Sequence, residues 1–84
     1  MENKTPVGTV THYYDKIGVA IVELSDKLKV GDMIAIEGKT TNFTQKVESI
    51  QIEHINVEEA GSGDSIGLKV DQKVREGDKV YKVF

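Results

Sequence analysis

The stretch from Val47 to Leu68, VESIQIEHINVEEAGSGDSIGL, constrains the fold more than any other part of this 84-residue chain. Ile50 and Ile52 alternate with polar residues, and Ile55 to Val57 is short and extended. Glu59 to Asp64 is a turn built on Ala60, Gly61, Ser62 and Gly63, and Ile66, Leu68 and Val70 alternate again with Gly67 and Lys69. A side-chain period of two, broken by small-residue turns, is the signature of half-buried strands and is incompatible with the three-and-four spacing of a helix. The order strand, link, turn, strand points to a β-barrel.

The rest of the chain repeats the pattern. Val7 to Tyr14 is a strand with Val10 on one face and Thr9, Thr11 and Tyr13 on the other, and Pro6 ahead of it fits a strand beginning at a sheet edge, where a missing N–H is tolerated. Tyr14 to Ile17 forms the next turn. Ile17 to Leu24 is apolar at nearly every position, as in a central strand with one face in the core and the other partly covered. Ile34 and Ile36 define another strand over Met33 to Glu37, and Thr44 to Glu53 a further one, in which Val47 falls out of step with Ile50 and predicts a bulge or bend near Glu48 and Ser49. Lys79 to Phe84 closes the sheet. The expected fold is all-β: a small closed or nearly closed antiparallel barrel of six or seven strands in one domain over 1–84, with residues 1–5 disordered and a core of Val10, Val19, Ile21, Ile34, Ile36, Val47, Ile50, Ile66, Leu68 and Val80.

Composition narrows the function. The net charge of −3 argues against affinity gained mainly by neutralising phosphates. The charge is uneven, however: residues 65–84 hold Lys69, Lys73, Arg75, Lys79 and Lys82 against Asp71, Glu76 and Asp78. The chain has no cysteine, which excludes disulfides, thiolate catalysis and thiolate metal ligands. No segment approaches the roughly 20 apolar residues of a membrane span, and no apolar run follows the charges of the N-terminus, so a soluble cytoplasmic protein is expected.

Gly-Asp precedes an apolar strand three times, at Gly31-Asp32, Gly63-Asp64 and Gly77-Asp78. Turn chemistry accounts for this without duplication, since glycine permits a positive φ and aspartate can hydrogen-bond the backbone that follows it. Together with their surroundings these turns carry a family likeness. Gly8 to Val10, Leu28 to Ile36, Val47 to Gln51 and Glu59 to Leu68 resemble domain two of the translation GTPases, the β-barrel beside the nucleotide-binding domain of elongation factor Tu. The ending VREGDKVYKVF is similar to the small barrel at the C-terminus of the collagenase-like peptidase family and in stand-alone elongation-factor-like proteins, the latter being the nearer match. The resemblance implies Greek-key connections and, at Glu59, a position beside the pocket for the acceptor end of tRNA. No phosphate-binding loop G-x-x-x-x-G-K-[ST] is present, so nucleotide triphosphate binding is not implied.

Candidate chemistry is sparse. Glu58, Glu59 and Asp64 bring three carboxylates near one turn, but strand alternation sends Glu58 and Glu59 to opposite faces, whereas a calcium site needs six to eight converging oxygens. His12 and His54 have no serine or aspartate at a spacing that identifies a triad. Tyr81 between Lys79 and Lys82 imitates the aromatic-and-cation platform of single-strand-binding barrels. No catalytic residue, metal or cofactor is expected. The candidate partner-binding residues are Glu59, Lys69, Lys73, Arg75, Lys79, Tyr81 and Lys82, for a non-catalytic module docking on tRNA, ribosomal RNA or a protein of the translation or RNA-modification machinery. The alternative is an accessory subunit of a separate collagenase-like peptidase. Oligomeric state is not legible.

Overall fold

The computed structural model describes residues 3–84, so Met1 and Glu2 of the expected disordered leader lie outside the described residues. The described residues contain no helix. The strands are β1 (Lys4–Tyr14), β2 (Val19–Leu24), β3 (Leu28–Lys29), β4 (Met33–Glu37), β5 (Asn42–Lys46), β6 (Ile50–Ile52), β7 (Ile55–Val57), β8 (Glu59–Ala60), β9 (Ser65–Lys69) and β10 (Lys79–Val83). Eight of them pair in the order β5-β4-β10-β1-β2-β9-β6-β7, all antiparallel, and β3 pairs with β8 apart from them.

Two elements lie deeper in this order than their sequence indicates. β10 is an interior strand between β4 and β1, and β1 is itself interior, flanked by β10 and β2. Pro6 is tolerated there because β1 pairs with β10 from Lys4 to Thr9 but with β2 only from Gly8 onward. The prolyl nitrogen therefore meets a ladder on one side alone, next to a bulge between Pro6 and Gly8. Lys4 and Thr5, expected in the disordered leader, are instead rungs opposite Val83 and Lys82.

The sheet curls back on itself. Flat, β5 and β9 would be five strand spacings apart, about 24 Å. Yet the buried Gln45 of β5 donates from Nε2 to the Lys69 carbonyl at 2.8 Å and accepts at Oε1 from the Asp71 N–H at 2.8 Å, both at the end of β9. The sequence predicts a closed or nearly closed barrel of six or seven strands; the described residues form ten, several of only two or three residues, and no ladder among them joins β5 to β7, the two ends of the larger sheet.

Inside the curl lie Val7, Val10, Ala20, Val22, Leu24, Leu28, Ile34, Ile36, Val47, Ile50, Ile66, Leu68, Val74 and Val80. Val19 and Ile21, expected in this core, are only half-buried and point outward, while Ala20, Val22 and Leu24 point in. The turn sets this parity. Both the Ile17 and Gly18 N–H groups donate to the Tyr14 carbonyl, Gly18 takes a φ of 67°, and the strand restarts with Val19 opposite Tyr14. One residue of register then inverts every side chain of the strand. Near Glu48 and Ser49, where a bulge or bend is expected, pairing stops at Lys46 and resumes at Ile50.

The three Gly-Asp segments are one device used three times. Each is a turn with its glycine at positive φ, 98° at Gly31, 90° at Gly63 and 93° at Gly77. Each aspartate N–H donates to the carbonyl three residues back, and its carboxylate accepts that same residue's N–H: Lys29 to Asp32 at 3.0 Å, Gly61 to Asp64 at 2.9 Å, Arg75 to Asp78 at 2.8 Å. The aspartate therefore binds backbone that precedes it, a correction to the expectation that it binds the backbone that follows. Each turn then grips one distant residue by two bonds, the glycine N–H donating to its carbonyl and the aspartate carbonyl accepting its N–H. The gripped residues are Val47, Leu24 and Val10, all buried. The turns are thus clamps that fix three segments of the core.

Candidate functional site

The basic residues of the tail do not assemble into one platform. Lys79 and Tyr81 share the outer face of β10, and Lys82 lies on the face of the buried Val80. Lys82 Nζ sits 3.3 Å from Asp32 Oδ2 and 5.8 Å from the centre of the Phe84 ring. Lys79 Nζ donates to Thr9 Oγ1 at 3.2 Å, and the Tyr81 ring is covered by Lys4, whose Nζ lies 5.4 Å from its centre and also binds Glu37. Lys69, Lys73 and Arg75 are exposed, Lys69 at the end of β9 and the other two in the loop before β10. Glu59 stands on the separate β3–β8 pair, opposite Lys29.

The carboxylates are equally dispersed. Asp64 is occupied by the Gly61 N–H, and Glu58 and Glu59 border a shallow cleft with Lys29 and Val30. Among the described residues no three histidine or acidic side chains are placed to hold a metal ion. His12 packs edge-on to the Tyr14 ring, with centres 4.4 Å apart, and its Nδ1 is 3.6 Å from Glu76 Oε2.

What the structure does build is a groove of about 520 Å³ on the outer face of β2, β9 and β6. Tyr14 and Ile17 of the β1–β2 turn wall one end, and Glu53 and His54 of the β6–β7 turn the other. Val19, Ile21, Gln51, Ser65 and Gly67 line it between them. The floor follows from register: Ile21 pairs with Gly67, Gly67 with Gln51 and Gln51 with Asn56, so an outward row of side chains has a gap at its second place. Gln51 Nε2 donates to Asn56 Oδ1 at 3.0 Å, which holds that side chain beyond the gap. Ile17 is 65% exposed and Tyr14 48%, large apolar surfaces left to solvent. Sequence reasoning did not assign this site. Its one signal was the apolarity of Ile17 to Leu24 on both faces, more than a single core requires.

Comparisons with known proteins bear on what such a surface serves. No family model matches the chain. An uncharacterized protease of Methanocaldococcus jannaschii is 47% identical over 79 residues, 93% of this chain and 19% of that protein. A collagenase of Porphyromonas gingivalis is 44% identical over 81 residues, covering 94% of this chain and 22% of the collagenase. The C-terminal domain of a Geobacillus thermoleovorans protein assigned to the U32 peptidases superposes with a TM-score of 0.86 at 25% identity, over 90% of this chain and 89% of that domain. The chain is thus similar to parts of a protease and of a collagenase, and to the C-terminal domain of a protein assigned to the U32 peptidases. The chain spans about a fifth of the length of the two full-length relatives. The likeness to the collagenase-like barrel read from VREGDKVYKVF is therefore supported, and the elongation-factor identity is not. Among the described residues no helix is long and apolar enough to cross a membrane.

Proposed function

We propose that this chain is a non-catalytic contact domain that works with a collagenase-like peptidase body, supplying the unit that its relatives carry at the matched positions. The observation that supports this most is the extent of the match: 93% of the chain aligns at 47% identity with about a fifth of a protease, which leaves the bulk of that enzyme to hold the reacting groups. The side chains here agree with a contact role. The chain has no cysteine, the aspartates of the three clamps bind backbone, and the groove over β2, β9 and β6 is mainly apolar. A shared fold licenses no activity by itself, so the peptidase connection rests on sequence identity.

A domain exchange tests it. The 81 matched residues of the Porphyromonas gingivalis collagenase are replaced by this chain, and collagen cleavage is compared with the intact enzyme and with a deletion of the same segment. The proposal predicts that the exchange restores cleavage that the deletion loses. An exchanged protein no better than the deletion would refute it.

A further inference from the structure

Two local rules are broken at the same place on this molecule, and both breaks serve the groove. The first is Gly67. A Cβ added there would meet Val19 Cγ1 at 3.6 Å and Gln51 Cβ at 3.8 Å, which is ordinary contact, and its φ is not in the left-handed region. Neither crowding nor backbone conformation demands glycine, and an interior strand glycine weakens its sheet. What the missing side chain leaves is the floor of the groove, between Ile21 and Gln51. The second break is the Glu53-His54 turn. These two residues make the tight turn between Ile52 and Ile55 with φ of 52° and 66°, where glycine and asparagine are favoured. Two larger side chains stand in a strained conformation instead, and both line the groove. Places where otherwise consistent sequences violate local preference are where function is expected.

Resting on the peptidase reading above, we infer that the Tyr14–Ile17–Gly67–His54 groove is the seat for a segment of the collagenase-like body, an apolar stretch with a lysine or arginine beside Glu53. Length gives the first reason. The full-length relatives carry about four fifths of their chain outside the matched region, so a domain of this size is attached to a body much larger than itself. Charge gives the second. Among the described residues Glu53, an exposed carboxylate, is the one acidic side chain lining an otherwise neutral or apolar groove, and no ion pair to it is seen among them, so a basic side chain there supplies the complementary charge. The remaining lining, Tyr14, Ile17, Val19 and Ile21, asks for apolar side chains, and the glycine floor lets one of them approach the backbone of β9.

The test uses the exchanged collagenase. A photo-cross-linking p-benzoylphenylalanine is placed at Ile17, with Lys39 on the exposed β4–β5 turn as the control position. Cross-links from position 17 are expected in the collagenase body, next to a basic residue, with none from position 39. Gly67→Leu, which fills the floor, is expected to lower the yield at least tenfold. Should Gly67→Leu fail to fold, Gly67→Ala, whose methyl lies at contact distance from its neighbours, is expected to lower it severalfold. Cross-links confined to the chain itself, cross-links joining two copies, or a yield that neither Gly67 variant changes would overturn the inference. An exchanged protein inactive on collagen removes the peptidase reading, whereas an active one without groove cross-links removes the groove alone.

Discussion

The tightest prediction concerns Gly38 and Asp78, which lie in different turns and approach closely. A Cβ on Gly38 would fall 1.9 Å from Asp78 Oδ1 and 2.7 Å from its Cγ. A free carboxylate would rotate away, but this one is 5% exposed and held by the Arg75 N–H at 2.8 Å. Gly38→Ala must therefore displace a pinned group, and overpacking of this kind costs about 1–3 kcal/mol. Asp78→Ala leaves the Arg75 N–H without its acceptor, at a cost of about 1–3 kcal/mol. In the double variant the methyl occupies space that the carboxylate has vacated, so the two costs should not add. The expected coupling is about 1–2 kcal/mol in favour of the double variant, within the range found for residues in contact. Urea unfolding of the four proteins, read as midpoint shifts at constant slope, measures it. Additivity within about 0.5 kcal/mol would refute the claim that Asp78 is pinned against the Gly38 backbone.

Three further outcomes follow from the same geometry. Gln45→Ala strips a buried partner from both the Lys69 carbonyl and the Asp71 N–H, and should lower stability by about 1–3 kcal/mol in chemical denaturation; a neutral result would show that this link does not hold the curl. Replacing Glu53-His54 by Asn-Gly should relieve two positive φ angles at about 1 kcal/mol each and raise the thermal midpoint by several degrees; an unchanged midpoint would remove the strain argument. Alanine at Asp78 should destabilise more than alanine at Asp32 or Asp64, because Asp78 is buried and the other two are only half-buried; the reverse order in thermal unfolding would contradict the clamp description.

Strand identity was legible wherever one face alone is apolar. Ile66 and Leu68 alternate with serine, glycine and lysine and fall in the core as their spacing requires, and Ile34 and Ile36 do so with the spacing of two alone as the signal. Ile17 to Leu24 carries no such parity, because both faces are apolar, and the choice passes to the β1–β2 turn, which sends Ala20, Val22 and Leu24 inward. The Gly-Asp turns could be seen as an echo, but their grip on Val10, Leu24 and Val47 could not, since each partner is distant in sequence. The interior places of β1 and β10 were hidden for the same reason: pairing between the two ends of a chain leaves no local trace. Tyr81 and the lysines around it looked like a platform only in one dimension, because the alternation of β10 turns Lys82 to the other face. The groove was missed because Gly67 reads as an ordinary strand glycine until its neighbours show that it is not needed there.

Calorimetry of the exchanged collagenase tests most directly whether this domain packs against a peptidase body. A domain that docks gains the free energy of that contact and unfolds above the temperature at which it unfolds alone. The account predicts a midpoint for the domain shifted upward by several degrees in the exchanged protein, and returned to that of the isolated chain by Ile17→Glu. A transition that coincides with the isolated chain in both proteins would mean that the domain hangs free of the body, and would contradict the account.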